Sequence, residues 1–245
     1  MRTYKRQMLT ALIAALGLGT TTFLYAAYVF PSEAACLFVK SFKWASLADG
    51  TLVEPDSTES ERAMFLDLQS QARDRIEKTF GTPRALPVVA FFRDPRTFWP
   101  LKVNDYGSAG SFNLGNTCII IGPKGQNVDV VAHELMHQEL HERVGTLHMF
   151  TEVPVWFNEG VAMQVDLRPQ YTLLEEAGSV RNTGGVRELK SVSQFNHGND
   201  EQLTQHYAFA KTEVAQWLDN VGRHDLYPRL ERIRAGQSFN SVVGK

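Results

Sequence analysis

The segment Asp129-Val130-Val131-Ala132-His133-Glu134-Leu135-Met136-His137 constrains this chain more than any other stretch. Its apolar residues recur at helical spacing, and helix positions four apart lie about 40° apart around the axis and one turn along it. His133 and His137 can therefore converge on one metal ion, while Glu134 lies on an adjacent face, able to reach a water beside the ion without ligating it. Val128, Val131, Ala132, Leu135 and Met136 give the helix an apolar body that buries the pair. The helix is predicted over 128–144, with Gly145 as its stop. A full His-Glu-x-x-His match arises by chance in this composition at about the 1 % level, so it needs supporting context.

The context follows within the next turn of chain. Val153-Pro154-Val155-Trp156-Phe157-Asn158-Glu159-Gly160-Val161-Ala162 reads as a second helix near 154–166, with Pro154 suited to a first turn. Glu159 stands among aromatic and apolar residues, where a carboxylate needs a partner to offset its desolvation. A metal ion supplies that partner. Gly160 and Ala162 remove bulk and should let this helix approach the first. His141 would lie about 12 Å along the axis from His133, too far to share the ion. His141 and His148 read as solvated or loop residues.

His133-Glu134-x-x-His137 followed by Trp156-Phe157-Asn158-Glu159-Gly160-Val161-Ala162 resembles the gluzincins, the thermolysin-like and aminopeptidase-like zinc peptidases, and above all their small peptidase MA-like members. The pattern covers roughly residues 60–245. The resemblance implies one zinc ion held by His133, His137 and Glu159, with Glu134 as general base in hydrolysis of a peptide or protein substrate. It also implies that Tyr207, in His206-Tyr207-Ala208-Phe209, donates to the oxyanion. A tyrosine packed into the core is the competing reading, and His206 is a weaker substitute donor. Met163 stands where the thermolysin-like pattern has Asp, which leaves open whether Asp129, Asp166 or backbone carbonyls orient the outer histidine nitrogens. Leu140 and Arg143 replace the Gly and His of the metzincin pattern. An intact Glu134 favours a hydrolase over a tethered, non-catalytic module with a structural zinc. A zinc hydrolase acting on a non-protein amide is a further alternative.

The rest of the chain supplies the frame. Thr58 and Glu61 have capping-box spacing before a helix to Phe80, and apolar runs at 86–92 and 118–121 read as strands. Gly107–Leu114 is either an edge strand beside the metal or a plain loop. Helices are predicted again near 205–221 and 225–235. This is an α+β pattern: a small zincin-like domain over 58–245, preceded by a stalk or early packing segment at 31–57.

Upstream, Arg2, Lys5 and Arg6 form a short basic tail (1–7) before the charge-free apolar run 8–30. A helix over that run would be about 35 Å long, enough to span a bilayer core of about 30 Å. The expectation is a single-pass membrane protein with its catalytic part on the extracytoplasmic side. A cleaved signal peptide, which would release that part, is the alternative. Either route meets an oxidising compartment, where Cys36 and Cys118, the two cysteines, can pair; Cys118 can equally be a small buried hydrophobe. A net charge of −2 and the lack of a basic stripe argue against a nucleic-acid partner, and nothing specifies the oligomeric state.

Overall fold

The computed structural model describes residues 31–99, 101, 103–112, 116–171 and 185–244. It opens with helix α1 (Pro31–Phe38), followed by the two-residue strands β1 (Ala45–Ser46) and β2 (Leu52–Val53). Helix α2 (Glu59–Phe80) starts at a reciprocal capping box, in which the Thr58 side chain accepts from Glu61 N–H and Glu61 accepts from Thr58 N–H. Strands β3 (Val88–Phe91), β4 (Gly107–Phe112) and β5 (Asn116–Ile121) complete one sheet. Then come α3 (Val128–Val144), α4 (Thr146–Thr151), α5 (Val155–Ala162), α6 (Val192–Phe195), α7 (Asp200–Val221), α8 (Leu226–Arg234) and α9 (Phe239–Val242).

The sheet order is β1-β2-β3-β5-β4. β2, β3 and β5 run parallel, whereas β1 and β4 are antiparallel to their neighbours. Alternation along the strands sends two faces into two cores. Val89, Phe91, Ile119 and Ile121 join the main core with Phe65, Ala72, Ile76 and the apolar residues of α3. Ala90, Cys118 and Ile120 face the other way, with Ala35, Cys36, Val39 and Phe98. β4 forms the edge, with α3 packed against it.

The expected architecture is corrected in three respects. Among the described residues no helix is long and apolar enough to cross a membrane, so a fold led by a transmembrane helix and a single-pass placement on the extracytoplasmic side are withdrawn. The longest helices, α2 and α7, carry charges such as Glu61, Arg62, Asp67, Glu213 and Asp219, which hydrocarbon would not accept. The apolar run 8–30 and the basic tail 1–7 lie outside the described residues. Secondly, of the two readings of 31–57 the stalk gives way to the early packing segment: Ala34, Ala35 and Cys36 are buried, and β1 and β2 extend the sheet. Cys36 is disulfide-bonded to Cys118, with Cα atoms 5.6 Å apart. Thirdly, the short mixed sheet expected between the first long helix and the histidine helix is a mixed sheet of five strands that begins before that first helix.

Candidate metal centre

Helix α3 presents the site because both of its ends are fixed. Asn127 caps the start, its side chain accepting from Val130 N–H at 3.0 Å. Gly145, at φ +83°, closes the other end by donating its N–H to the His141 carbonyl, and the left-handed turn sends the chain straight into α4. Between them His133 and Glu134 are buried, and His137 is half-buried.

Glu159 comes from α5, which is held against α7 rather than drawn towards α3 by its small residues. A Cβ at Gly160 would stand 2.4 Å from the Ala210 carbonyl oxygen and 2.6 Å from Val214 Cγ2, both on α7. The signal for close packing at Gly160 was legible; its partner was not. The result is that His133, His137 and Glu159 form one group whose ligand atoms can hold a metal ion. The two Nε2 atoms are 3.1 Å apart, and Glu159 Oε2 lies 3.4 Å from one and 3.5 Å from the other. In a tetrahedral shell with bonds of about 2.0–2.2 Å, neighbouring ligand atoms stand about 3.3–3.5 Å apart. The donor set fits.

The outer nitrogens sharpen that fit. His137 Nδ1 donates to Asn158 Oδ1 at 3.0 Å, which leaves the lone pair of Nε2 facing the group in the neutral ring. His133 Nδ1 is buried without a hydrogen-bond partner, 3.5 Å from the fully buried Asp166 carboxylate, an attraction that favours a proton on Nδ1. Both Nε2 atoms thus face Glu159, where each can give its lone pair to a metal ion or, without one, carry a proton that Glu159 accepts. Asn158 was overlooked in the sequence, although its place beside Glu159 on α5 carries the hint. Of the residues weighed as orienters, Asp166 is in place, held by the Arg168 guanidinium at 2.5–3.0 Å. Asp129 is not: it bonds Arg75 and the Leu167 N–H.

The electrostatics agree. Burial would lower His133, but Asp166 and Glu159 outweigh it and raise the imidazole to about 10. Burial opposes protonation of His137 too, and Glu159 overcomes it. Glu159 would be raised by burial, yet His137 and His133 hold it well below the usual carboxylate range. The negative potential that retains these protons is the one that attracts a metal ion. Glu134 differs: burial pushes its carboxyl up, with the two histidines only moderating the shift.

A cavity of about 260 Å³ lies over the group, walled by Gly107, Ser108 and Ala109 of β4, by Asn104, and by Tyr207 of α7. Gly107 lets the strand press on the helix, since a Cβ there would stand 3.0 Å from Glu134 Cγ and Val130 Cγ1. The charge of Glu159, then burial, pushes the Tyr207 phenol well above its ordinary value, so it remains a donor. Its ring is packed against Phe195 and Tyr171, with His133 6.3 Å away. His206 is committed elsewhere, its Nδ1 donating to the Phe195 carbonyl at 2.7 Å. His141 is not the solvated residue that its position implied. It lines the same cavity, and burial, then the His137 charge, lower it to about 4. His148 sits half-buried on α4, outside the cavity lining.

No protein-family model matches the chain, and a search among curated proteins finds no significant match. The reading of the site therefore stands on its geometry and on the sequence motifs.

Proposed function

We propose that the protein is a metal-dependent hydrolase and, more particularly, a zinc peptidase of the gluzincin kind. The observation that carries this reading is a division of labour within one helix turn. His133 and His137 join Glu159 in one group able to hold a metal ion, while Glu134, buried beside them, belongs to no such group. A purely structural site needs four closed ligands and no adjacent base.

A zinc ion bound there supplies Lewis acidity, polarising a substrate carbonyl and lowering the pKa of water. The chain's own residues do the rest. Glu134, its carboxyl raised above the ordinary value by burial, takes a proton from the attacking water and returns it to the departing amine. Tyr207, kept protonated, donates to the oxygen on which charge develops. Strand β4 pairs with β5 on one side only among the described residues, so its outer edge can hydrogen-bond an extended peptide across the cavity. Gly107 and Ala109 leave room for that peptide. Small residues and a free strand edge favour peptide over another amide.

Metal analysis combined with digestion of a mixed peptide pool tests the reading. The wild-type protein is expected to bind one zinc per chain and to cleave peptides. Glu134→Gln should keep the zinc and lose about 10²–10⁴-fold in rate, the share of a general base. His133→Ala should lose both. Equal turnover by wild type and Glu134→Gln, or no stoichiometric metal in the wild type, would refute it.

A further inference from the structure

The wall of the cavity changes character where α3 ends. Over the metal-binding group it is polar, with Asn104, Ser108, Asn158 and Glu159. One turn past His137 stands His141, whose Nδ1 is buried without a partner and whose ring meets that of Phe150 edge-on, centroids 5.9 Å apart. Phe150 is 76 % exposed and Leu147, three residues earlier on the same face of α4, is 65 % exposed. Exposed large apolar side chains set side by side mark a binding surface more often than single ones do. α4 is nonetheless firmly seated, since Met149 is buried in the main core and Gly145 fixes its entry. Phe150 and Leu147 are therefore held out towards solvent by a short rigid helix, beside a ring that lines the cavity.

We infer that His141, Leu147 and Phe150 form a ledge that receives a large apolar side chain of the peptide substrate, next to the scissile bond on the side where α3 ends. This rests on the peptidase reading above. The occupant follows from continuity. The ledge adjoins the cleft through His141, and a peptide paired along β4, which runs beside α3 from Gly107 near Glu134 to Gly110 near Gln138, is carried towards it. Successive side chains of an extended peptide point to opposite sides, so one of them is turned to this wall. Charged side chains find no opposite charge among the three ledge residues. Phenylalanine or leucine would bury apolar area against Phe150 and Leu147.

The test uses short peptides identical except at each position around the cleaved bond, where Phe, Leu, Ala and Asp are compared. At one position the wild-type protein should favour Phe or Leu over Ala by about tenfold or more in kcat/KM, the scale of an apolar pocket. In Leu147→Ser/Phe150→Ser that ratio should fall to about one, and in Phe150→Leu it should persist. Both side chains are exposed, so melting temperature is expected to change little in these variants. The same peptides are titrated calorimetrically into zinc-loaded Glu134→Gln protein, with and without the ledge substitutions. Apolar-selective binding that the substitutions abolish supports the ledge even if the wild type cleaves nothing, in which case only the hydrolase reading fails. Cleavage or binding with an unchanged preference in the double variant, or with no apolar preference at any position, overturns the ledge.

Discussion

Along α3, Glu139 and Arg143 bury their charges towards the start of β3 and α8, while His133, Glu134 and His137 bury theirs towards β4 and α5. The first cluster answers every charge from within. Glu139 accepts from the Arg84 and Ala85 N–H groups at 2.8 Å each and from Arg143 Nε at 2.6 Å. Arg143 also donates to Glu231 at 2.8 Å and to the Thr82 carbonyl at 3.0 Å, and it stacks over Tyr227 at 4.0 Å. The second cluster brings two imidazole nitrogens and a carboxylate oxygen within 3.1–3.5 Å of one another, a set in which a metal ion can take the place of the histidine protons. One helix therefore holds a closed network that ties elements together and an open one that asks for a ligand. Buried charge alone does not mark a site; metal-ligand atoms that converge on one point do.

The contrast can be broken most directly at Glu139. Its replacement by Ala leaves the Arg143 guanidinium buried without its main partner, and should cost about 3–5 kcal/mol in urea unfolding while zinc stoichiometry of the folded protein stays at one. A loss under about 1 kcal/mol would mean that this network is not the brace described. Next in size, Asn158→Ala should weaken zinc binding about 10–100-fold in competition with a chelator, because the His137 ring loses its orienting acceptor. Unchanged affinity would return Asn158 to a packing role.

Acidity separates the clusters further. His133, raised to about 10, and His137, also raised, must both shed protons to bind metal. Zinc affinity should therefore climb from pH 6 to pH 8, with proton release visible as a dependence of the calorimetric heat on the buffer. A flat profile would exclude histidine ligation. Without metal the sign reverses: the raised His133 lends stability in full below its ordinary 6.5, and that contribution fades as pH rises towards 10. The smallest effect is expected at Glu134→Gln. Removing a carboxylate buried for chemistry rather than for cohesion should leave the metal-free melting temperature unchanged or slightly higher, within about 1 kcal/mol. A clear loss of stability would make Glu134 a structural residue.

What the sequence revealed follows from how local each signal is. The helix over 128–144, the pair His133 and His137, and the cap at Thr58 each depend on spacings within a few turns, and the structure has the same helix bounds and the same capping bonds. Bringing Glu159 to the histidines needed only the next helix. β1 and β2 are two residues each, too short for any period to register. The partner of Gly160 lies some fifty positions away on α7, and the Cys36–Cys118 bond depends on a distance no spacing encodes. Hydropathy at 8–30 described a stretch of chain, and the fold of the described residues has no membrane-crossing helix to set beside it.

The disulfide carries a consequence for how the molecule is made. Its two cysteines are 82 positions apart and each is 1 % exposed, on the side of the sheet covered by α1. In the chain-entropy view such a closure restricts the unfolded chain by about 4–5 kcal/mol. Oxidant reaches those sulfurs only while α1 is lifted from β5, before that face closes or during a local opening of it. Closing the bond and docking α1 are thus coupled, and a chain folded under strong reductant would be expected to keep a looser α1.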